Sequence, residues 1–159
     1  MMSYAYDTIA DIIRLGEENN ISFGDVVLRY ELENYDRSED AVVREIENRL
    51  DIFESSIQDG IAYAEKTASG MSGGQAAQLN GQTPRFMSDI AYKAMTYAIA
   101  VNEANAKMFR IVACPTAGSC GVMPGAVKAV ADHYQLDRAT VVKGFLAASG
   151  IGNVVANRA

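Results

Sequence analysis

Residues 39–67, EDAVVREIENRLDIFESSIQDGIAYAEKT, carry the longest helical pattern in the chain. Apolar residues recur there every three or four positions: Val43, Ile46, Leu50, Phe53, Ile57, Ile61 and Ala64. This spacing places them on one face, which predicts one amphipathic helix through the whole stretch. Such a stripe is more typical of a core or a subunit contact than of a reactive site.

Helical patterns continue on both sides of this stretch. Five further helices are predicted, over residues 3–18, 22–34, 87–113, 124–134 and from 137 onward. Ser22 and Asp25 are typical of a capping box, and Asp137 of an N-cap. Pro115 disfavours helical geometry at the residue before it, so the fourth helix should end by residue 113. Because no alternating strand pattern occurs, we expect an all-α fold in a single helical domain over residues 1–159.

The charge of the chain is unevenly distributed. Its formal net charge is −6, with an acidic balance in residues 1–68 and a basic balance in residues 69–159. The acidic part offers no basic face to nucleic acid, so no nucleic-acid partner is expected. The basic part would suit a small anionic ligand such as a carboxylate. A merely solvated acidic surface is the simpler interpretation of the first part.

The composition also bears on location and redox state. No apolar run approaches the roughly 20 residues of a membrane span, and the N-terminus is too acidic for a signal peptide. A cytoplasmic protein without a membrane partner is therefore expected. Cys114 and Cys120 are the two cysteines. Their spacing fits neither a disulfide framework nor a usual zinc site, so free thiols are expected.

Two glycine-rich stretches depart from the helical pattern. The upstream loop, residues 69–84, reads SGMSGGQAAQLNGQTP, and the downstream loop, residues 113–125, reads ACPTAGSCGVMPG. Glycine lets backbone approach a ligand closely, and free N–H groups at a helix start attract anions. The hydroxyls of Thr116 and Ser119 make the downstream loop a candidate cradle for a carboxylate. Neither loop matches a phosphate-binding motif, and simple turns between helices are the commoner alternative.

The two thiols and the single histidine have plain interpretations. Cys114 is expected to be a small buried residue at a helix end. Cys120 lies beside a predicted helix N-terminus, where the pKa of a thiol can be lowered. His133 is expected on the solvated face of its helix.

Three polar residues interrupt the apolar pattern of the helix predicted over residues 87–113: Asn102, Glu103 and Asn105. Polar groups on a largely buried helix need hydrogen-bond partners. A ligand site lined by this helix would provide them. Hydrogen bonds between helices are an equal alternative.

The sequence AVNEANAKMFRIVACPTAGSCGVMPGAV, residues 100–127, closely resembles the α chain of bacterial iron–sulfur L-serine dehydratases. SGMSGGQAAQL resembles the upstream glycine loop of that family, and GFLAASGIGNVVANRA, residues 144–159, resembles its next helix. Residues 21–42 fit its N-terminal region. The resemblance implies a helical catalytic domain that converts L-serine to pyruvate and ammonia without pyridoxal phosphate.

The resemblance also implies a cofactor and a substrate site. In this family three cysteines hold a [4Fe–4S] cluster, whose open iron binds serine and acts as a Lewis acid on the departing hydroxide. A base removes the α-proton, and the sequence does not identify it. By resemblance, both loops contact the substrate carboxylate or amine, through Ser72, Gly73, Gly74, Thr116, Ala117, Gly118, Ser119 and Cys120.

One departure from the family pattern is equally informative. The three cluster cysteines of the family lie downstream of an ANRAS-like segment, inside which this sequence stops at Ala159. Neither Cys114 nor Cys120 falls at a ligand position. The expected picture is the N-terminal half of an α chain, inactive alone, whose partners are the remainder of the α chain and a β chain or β domain in an oligomer. A related cluster-dependent L-cysteine desulfidase and a non-catalytic helical module that binds an amino acid or docks on a partner are the alternatives.

Overall fold

The structure, a computed structural model, describes residues 3–114 and 116–158. Within them the chain is helical and contains no strand, which confirms the all-α class. The α-helices are α1 (Ile9–Asn19), α2 (Phe23–Asn34), α3 (Glu39–Ala62), α4 (Gln75–Leu79), α5 (Asp89–Ala106), α6 (Val122–Tyr134) and α7 (Arg138–Arg158). A short 3-10 helix, Ala117–Ser119, lies between α5 and α6. Pro115 and Ala159, on which two expectations rest, lie outside the described residues.

The backbone divides into two compact units. One lies within Met1–Glu47 and Asp137–Ala159, and the other is Asn48–Leu136. The beginning of α3 belongs to the first unit and the rest of α3 to the second. The single domain expected over residues 1–159 stays a prediction.

In the first unit, capping boxes begin the first two helices. Thr8 and Asp11 exchange hydrogen bonds at the start of α1, and Ser22 and Asp25 do so at the start of α2, as predicted. Each box satisfies two backbone N–H groups that have no partner within the helix. The cap at Thr8 sets the beginning of α1 at Ile9, so the predicted start at residue 3 is wrong.

Helix α2 packs on α7 in the first unit. A Cβ added at Gly24 would lie 2.3 Å from the Lys143 carbonyl oxygen, and one at Gly150 would lie 2.4 Å from a Val27 methyl. Both glycines therefore permit a close helix crossing. An ion pair between Lys143 and Asp25, at 3.0 Å, flanks it.

Helix α7 is long and apolar enough to cross a membrane by length and composition, with a mean hydropathy of 1.4 in its most apolar window. The expectation that no apolar run approaches a membrane span overlooked this helix. In the structure, Val142, Phe145, Leu146, Gly150 and Val154 of α7 are buried within the first unit. These residues are a minority, since 28% of the apolar window is buried, and the absence of a membrane partner stays a prediction.

In the second unit, the other helices pack closely against α5. Where α3 crosses α5, a Cβ added at Gly60 would lie 1.9 Å from the Ala100 carbonyl oxygen. At Gly121 and Gly125, next to or within α6, an added Cβ would lie 2.3 and 2.6 Å from carbonyl oxygens of α5. These three glycines are required by helix packing.

Helix α3 is shorter than predicted. It ends at Ala62 instead of residue 67, and Ala64 is exposed beyond its end. The buried side includes Val42 in place of Val43, followed by Ile46, Leu50, Phe53 and Ile57. After the helix, the carbonyl oxygens of Ala64 and Glu65 lie against two glycines of the upstream loop. A Cβ added at Gly74 would lie 2.6 Å from the Ala64 oxygen, and one added at Gly73 would lie 2.3 Å from the Glu65 oxygen. The chain after Ala62 is thus packed against the upstream loop, and no local signal in the sequence indicates this contact.

Helix α5 also ends early, at Ala106 instead of residue 113. Met108 adopts a left-handed conformation with φ of 65°, and the Phe109 amide bonds back to the Ala104 carbonyl. This is the geometry of a helix C-cap, which normally favours glycine. The short helix α4 within the upstream loop was not predicted, and α6 begins at Val122, two residues before Pro124.

Candidate functional site

The last turns of helix α5 are bonded to the upstream loop. The Glu103 carboxylate accepts hydrogen bonds from the Gly74 amide to Oε2 at 2.9 Å and from the Gln75 amide to Oε1 at 2.7 Å. Glu103 is only 3% exposed. A buried carboxylate with two N–H donors is a strong, charge-assisted contact. It fixes the start of α4 on the side of α5.

The same part of α5 is bonded to the downstream loop. Asn105 Nδ2 donates to the Ala117 carbonyl at 3.1 Å, and the Cys120 thiol donates to Asn102 Oδ1 at 3.7 Å. The partners of the three polar residues of α5 therefore belong to the two glycine-rich stretches, and one of them, the Gln75 amide, is at the start of helix α4. Helix α5 joins the two loops that the sequence singled out.

The upstream loop has a closely bonded interior. The Thr67 amide donates to the Ser72 carbonyl at 2.9 Å, and the Gly70 amide donates to the Thr67 carbonyl at 2.8 Å. The Ser72 hydroxyl lies 3.5 Å from Thr67 Oγ1, a weak contact, and Ser72 is half-buried. Ser72 therefore has a half-buried polar side chain on a hydrogen-bonded backbone.

Gly73 and Gly74 are buried and have positive φ angles of 115° and 85°. A Cβ at these positions would lie 2.3 Å from the Glu65 carbonyl oxygen and 2.6 Å from that of Ala64. The fold itself thus requires both glycines. Because Glu103 accepts the Gly74 hydrogen bond, that amide already has a partner within the chain.

In the downstream loop, Thr116 and Ser119 form a capping box around the short 3-10 helix. Thr116 Oγ1 accepts from the Ser119 amide at 3.3 Å, and Ser119 Oγ accepts from the Thr116 amide at 3.4 Å. Ser119 Oγ also lies 3.0 Å from the Cys114 carbonyl, to which it can donate. Thr116, Ala117 and Gly118 are exposed. The loop is thus internally bonded and open to solvent on the side of residues 116–118.

The Cys120 thiol does not have the environment that its position predicted. Cys120 is 0% exposed, and it belongs to a core cluster with Ile57, Ala76, Ala100 and Val101. Burial raises the pKa of the Cys120 thiol, so the prediction of a lowered pKa is wrong. Removal from water disfavours the thiolate more than the adjacent helix start stabilises it.

Cys114 also differs from expectation. It is half-buried and lies in a bend, eight residues past the end of α5 at Ala106, and not at a helix end. Burial raises the pKa of its thiol as well. Both cysteines are free, as predicted.

The residues of this chain do not fit a [4Fe–4S] cluster. Such a cluster is held by cysteine thiolates, three of them in the family that the sequence resembles. The chain has two cysteines, and burial favours the neutral thiol at both. No group of three or more His, Cys, Asp or Glu side chains arranged to hold a metal ion occurs in the described part of the chain.

A cleft of about 210 Å³ follows the first half of α5, away from the turn that binds the loops, and the sequence did not predict it. Tyr97 is in its wall and donates to Asp132 at 2.8 Å, and Lys128 bonds the same carboxylate at 2.6 Å. Burial, with the hydrogen bond to Asp132, raises the pKa of Tyr97 to about 12. Tyr97 therefore remains an un-ionised donor. His133 is exposed near the end of α6, as expected.

The second unit is thus an all-α unit in which one helix, α5, is hydrogen-bonded to two glycine-rich loops. The chain matches the family described as "Serine dehydratase alpha chain" over residues 18–159, and it belongs to that family. It is 32% identical over 152 residues to "L-serine dehydratase, alpha chain" of Peptoniphilus asaccharolyticus, covering 94% of this chain and 52% of that protein.

Two further relatives extend the comparison. The "Probable L-serine dehydratase, alpha chain" of Bacillus subtilis (strain 168) is 29% identical over 157 residues, covering 97% of this chain and 52% of that protein. "L-serine dehydratase 2" of Escherichia coli (strain K12) is 26% identical over 164 residues, covering 95% and 34%. The chain therefore spans about half the length of the curated α chains that it matches.

Proposed function

We propose that this chain is the substrate-binding part of an L-serine ammonia-lyase, which converts L-serine to pyruvate and ammonia. Family membership and relatives named L-serine dehydratase support this proposal. The observation that carries it is the bonding of both glycine loops to one turn of α5, through Glu103 and Asn105. Loops held to one rigid helix can present polar groups to a ligand the size of an amino acid.

In the proposed site the two loops contact the carboxylate and the amine of serine. The exposed residues 116–118, with the hydroxyl of Ser119, form the downstream side. Ser72 and Gly73 form the upstream side. Gly74 and Cys120 belong to the same site, but their described bonds go to α5, so we propose that they support the loops from behind.

A [4Fe–4S] cluster is the proposed cofactor of the complete enzyme, and pyridoxal phosphate is not required. When bound, the cluster would supply a Lewis acid for the leaving hydroxide. Because the cysteines of this chain do not fit it, we assign the cluster ligands to polypeptide outside these residues. What this chain contributes is binding and orientation of the substrate.

The proposed protein partners are the remainder of an α chain and a β chain or β domain, in a cytoplasmic oligomer. Ile151 and Val155 are exposed on α7, whose other side is buried. Unpartnered apolar side chains on a long helix are typical of a surface that binds another polypeptide. No membrane or nucleic-acid partner is proposed.

The experiment is anaerobic reconstitution of the chain with iron and sulfide, alone and together with the second half of a related α chain and the β chain of that enzyme. Bound iron per chain and pyruvate formed from L-serine are measured. We expect neither iron nor pyruvate from the chain alone, and both from the combination. Stoichiometric iron and activity in the chain alone would show that Cys114 or Cys120 is a cluster ligand.

The same preparation separates the alternatives. Faster release of sulfide from L-cysteine than of ammonia from L-serine would identify a cysteine desulfidase. A non-catalytic amino-acid-binding module is the second candidate, because the described residues of this chain form no cluster site. Saturable serine binding by calorimetry, without iron or pyruvate in any combination, would support it.

A further inference from the structure

We propose that Glu103 is a positioning residue, whose buried carboxylate holds the upstream loop in the conformation that presents Ser72 and Gly73 to the substrate. This assignment rests on the proposed function and adds a residue to its site. Glu103 itself is buried and its two oxygens are occupied, so it acts through the loop and not by touching serine.

The geometry requires a carboxylate at this position. Two consecutive amides, Gly74 and Gln75, each donate to a different oxygen of Glu103, at 2.9 and 2.7 Å. A glutamine has the same shape but offers one oxygen, and its NH₂ group would face the second amide donor. An aspartate is one methylene shorter. Only glutamate supplies two acceptors at this reach.

Removing one acceptor leaves a buried donor without a partner. Gly74 is buried and so is its bond to Glu103, whereas Gln75 is exposed and its bond is partly buried, so the Gly74 amide is the donor for which water does not readily replace a lost oxygen. A buried N–H without an acceptor costs more than an average hydrogen bond contributes. The loop would then move away from α5, and Ser72 and Gly73, directly before Gly74, would move with it.

Glu103 also determines the position of the upstream loop relative to the downstream loop. Asn105, two residues further along α5, donates to the Ala117 carbonyl. Both loops are therefore hydrogen-bonded to the same turn of α5. The distance between Ser72 in one loop and residues 116–118 in the other depends on the side chains of Glu103 and Asn105. A ligand that bridges the loops is sensitive to shifts of about 1 Å in that separation.

The test is Glu103→Gln, with Glu65→Gln as the matched control. Glu65 is exposed beside the same loop and loses the same charge. Amide hydrogen exchange at Gly74 and Gln75 is measured by NMR on the chain. The KM for L-serine and the kcat per bound cluster are measured on the reconstituted enzyme.

In the Glu103→Gln variant we expect exchange at one or both amides to become at least about tenfold faster. We expect the serine KM to rise about tenfold while kcat per cluster changes little. The Glu65→Gln control should match the wild type in both measurements. Unchanged exchange, or faster exchange with an unchanged KM, would overturn the assignment.

A measurement on the wild type decides the structural part even if Glu103→Gln does not fold. The Gly74 and Gln75 amides should exchange much more slowly than the amide of Gly81, which is exposed in the same loop. Equal exchange at the three amides would show that Glu103 does not hold the loop. If the wild-type enzyme makes no pyruvate, the proposed function fails, while exchange still reports whether Glu103 restrains the loop.

Discussion

Two glycines in the downstream loop, Gly118 and Gly121, differ in whether the fold requires glycine at their positions. A Cβ at Gly121 would lie 2.3 Å from a carbonyl oxygen of α5. A Cβ at Gly118 would meet only Thr116 Oγ1, at an ordinary 3.8 Å, and its φ is not in the left-handed region. The fold therefore requires glycine at position 121 and does not require it at 118. In the proposed function, close approach of the substrate is the role of glycine at 118.

Alanine at each position separates these roles. Gly118→Ala should change the free energy of unfolding by less than about 0.5 kcal/mol and raise the serine KM about tenfold, because the new methyl group faces the proposed substrate site. Gly121→Ala should lower the free energy of unfolding by about 2–3 kcal/mol, because the methyl group overlaps α5. Urea unfolding and pyruvate assays measure both quantities. An unchanged KM for Gly118→Ala argues against substrate contact, and full stability of Gly121→Ala argues against the helix contact.

Residue chemistry was predictable where it depended on neighbours in sequence. The capping box of Ser22 and Asp25 is such a case, because its partners are three residues apart. Cys120 is the opposite case. The pKa of its thiol depends on Ile57, Ala76 and α5, which the sequence does not place beside it.

At the scale of the helix, Asp25 links capping to the helix crossing of the first unit. Burial alone would raise the pKa of Asp25, but hydrogen bonds from Ser22 and Lys143 outweigh it and hold the pKa below its usual value. A carboxylate with a lowered folded-state pKa stabilises the fold above its unfolded-state pKa. This stabilisation is lost as the pH falls through the folded-state value.

Asp25→Asn should therefore weaken the pH dependence of stability on the acid side. We expect a loss of about 0.5–1 kcal/mol at pH 7, since the site is partly open to solvent. Between roughly pH 5 and pH 2 the free energy of unfolding should fall less steeply than in the wild type. Urea unfolding across this range measures both effects. Three other aspartates with lowered pKa values also contribute to the slope in both proteins: Asp11, Asp132 and Asp137. If the curves of unfolding free energy against pH are parallel for the variant and the wild type, Asp25 is not linked to acid unfolding.

Helix boundaries could be predicted from the sequence where local signals mark them, as at the starts of α2 and α7, but not at the ends of α3 and α5. The starts of α2 and α7 carry local N-cap signals at Ser22 and Asp137. The end of α5 depends on Met108 in a left-handed conformation, which its residue type disfavours. Helix α4 has five residues and is held by Glu103, far away in sequence. Local propensity indicates neither feature, and for α4 the reason is the tertiary contact with Glu103.

At the scale of the whole molecule, both glycine loops were identifiable from composition and resemblance, whereas their connection was not. The polar residues of α5 were recognised as unusual, but their partners are up to 29 residues away in sequence. The cleft beside Tyr97 also depends on a fold that brings residues 79–84 against α5. Both loops and the polar residues of α5 could therefore be predicted from the sequence, but the hydrogen bonds that connect them could not.

The exposed side of α7 carries the last prediction. Ile151 and Val155 lie four residues apart on that helix, 41% and 58% exposed, while Val142, Phe145 and Leu146 are buried on its other side. Because the chain spans about half the length of its α-chain relatives, we propose that the second half of such an α chain covers this surface. A charge there would be buried without a partner on binding.

Val155→Glu should leave the free energy of unfolding of the chain within about 0.5 kcal/mol of the wild type, because the side chain is exposed. It should weaken binding of the second half of a related α chain at least about tenfold, since it introduces an unpaired charge at the contact. Ser149→Glu adds the same charge at an exposed polar position of α7 and is the control. Calorimetric titration with the second half gives the affinities. If Val155→Glu binds as tightly as the wild type, the partner contacts another surface; if both variants weaken equally, net charge and not the apolar surface determines association.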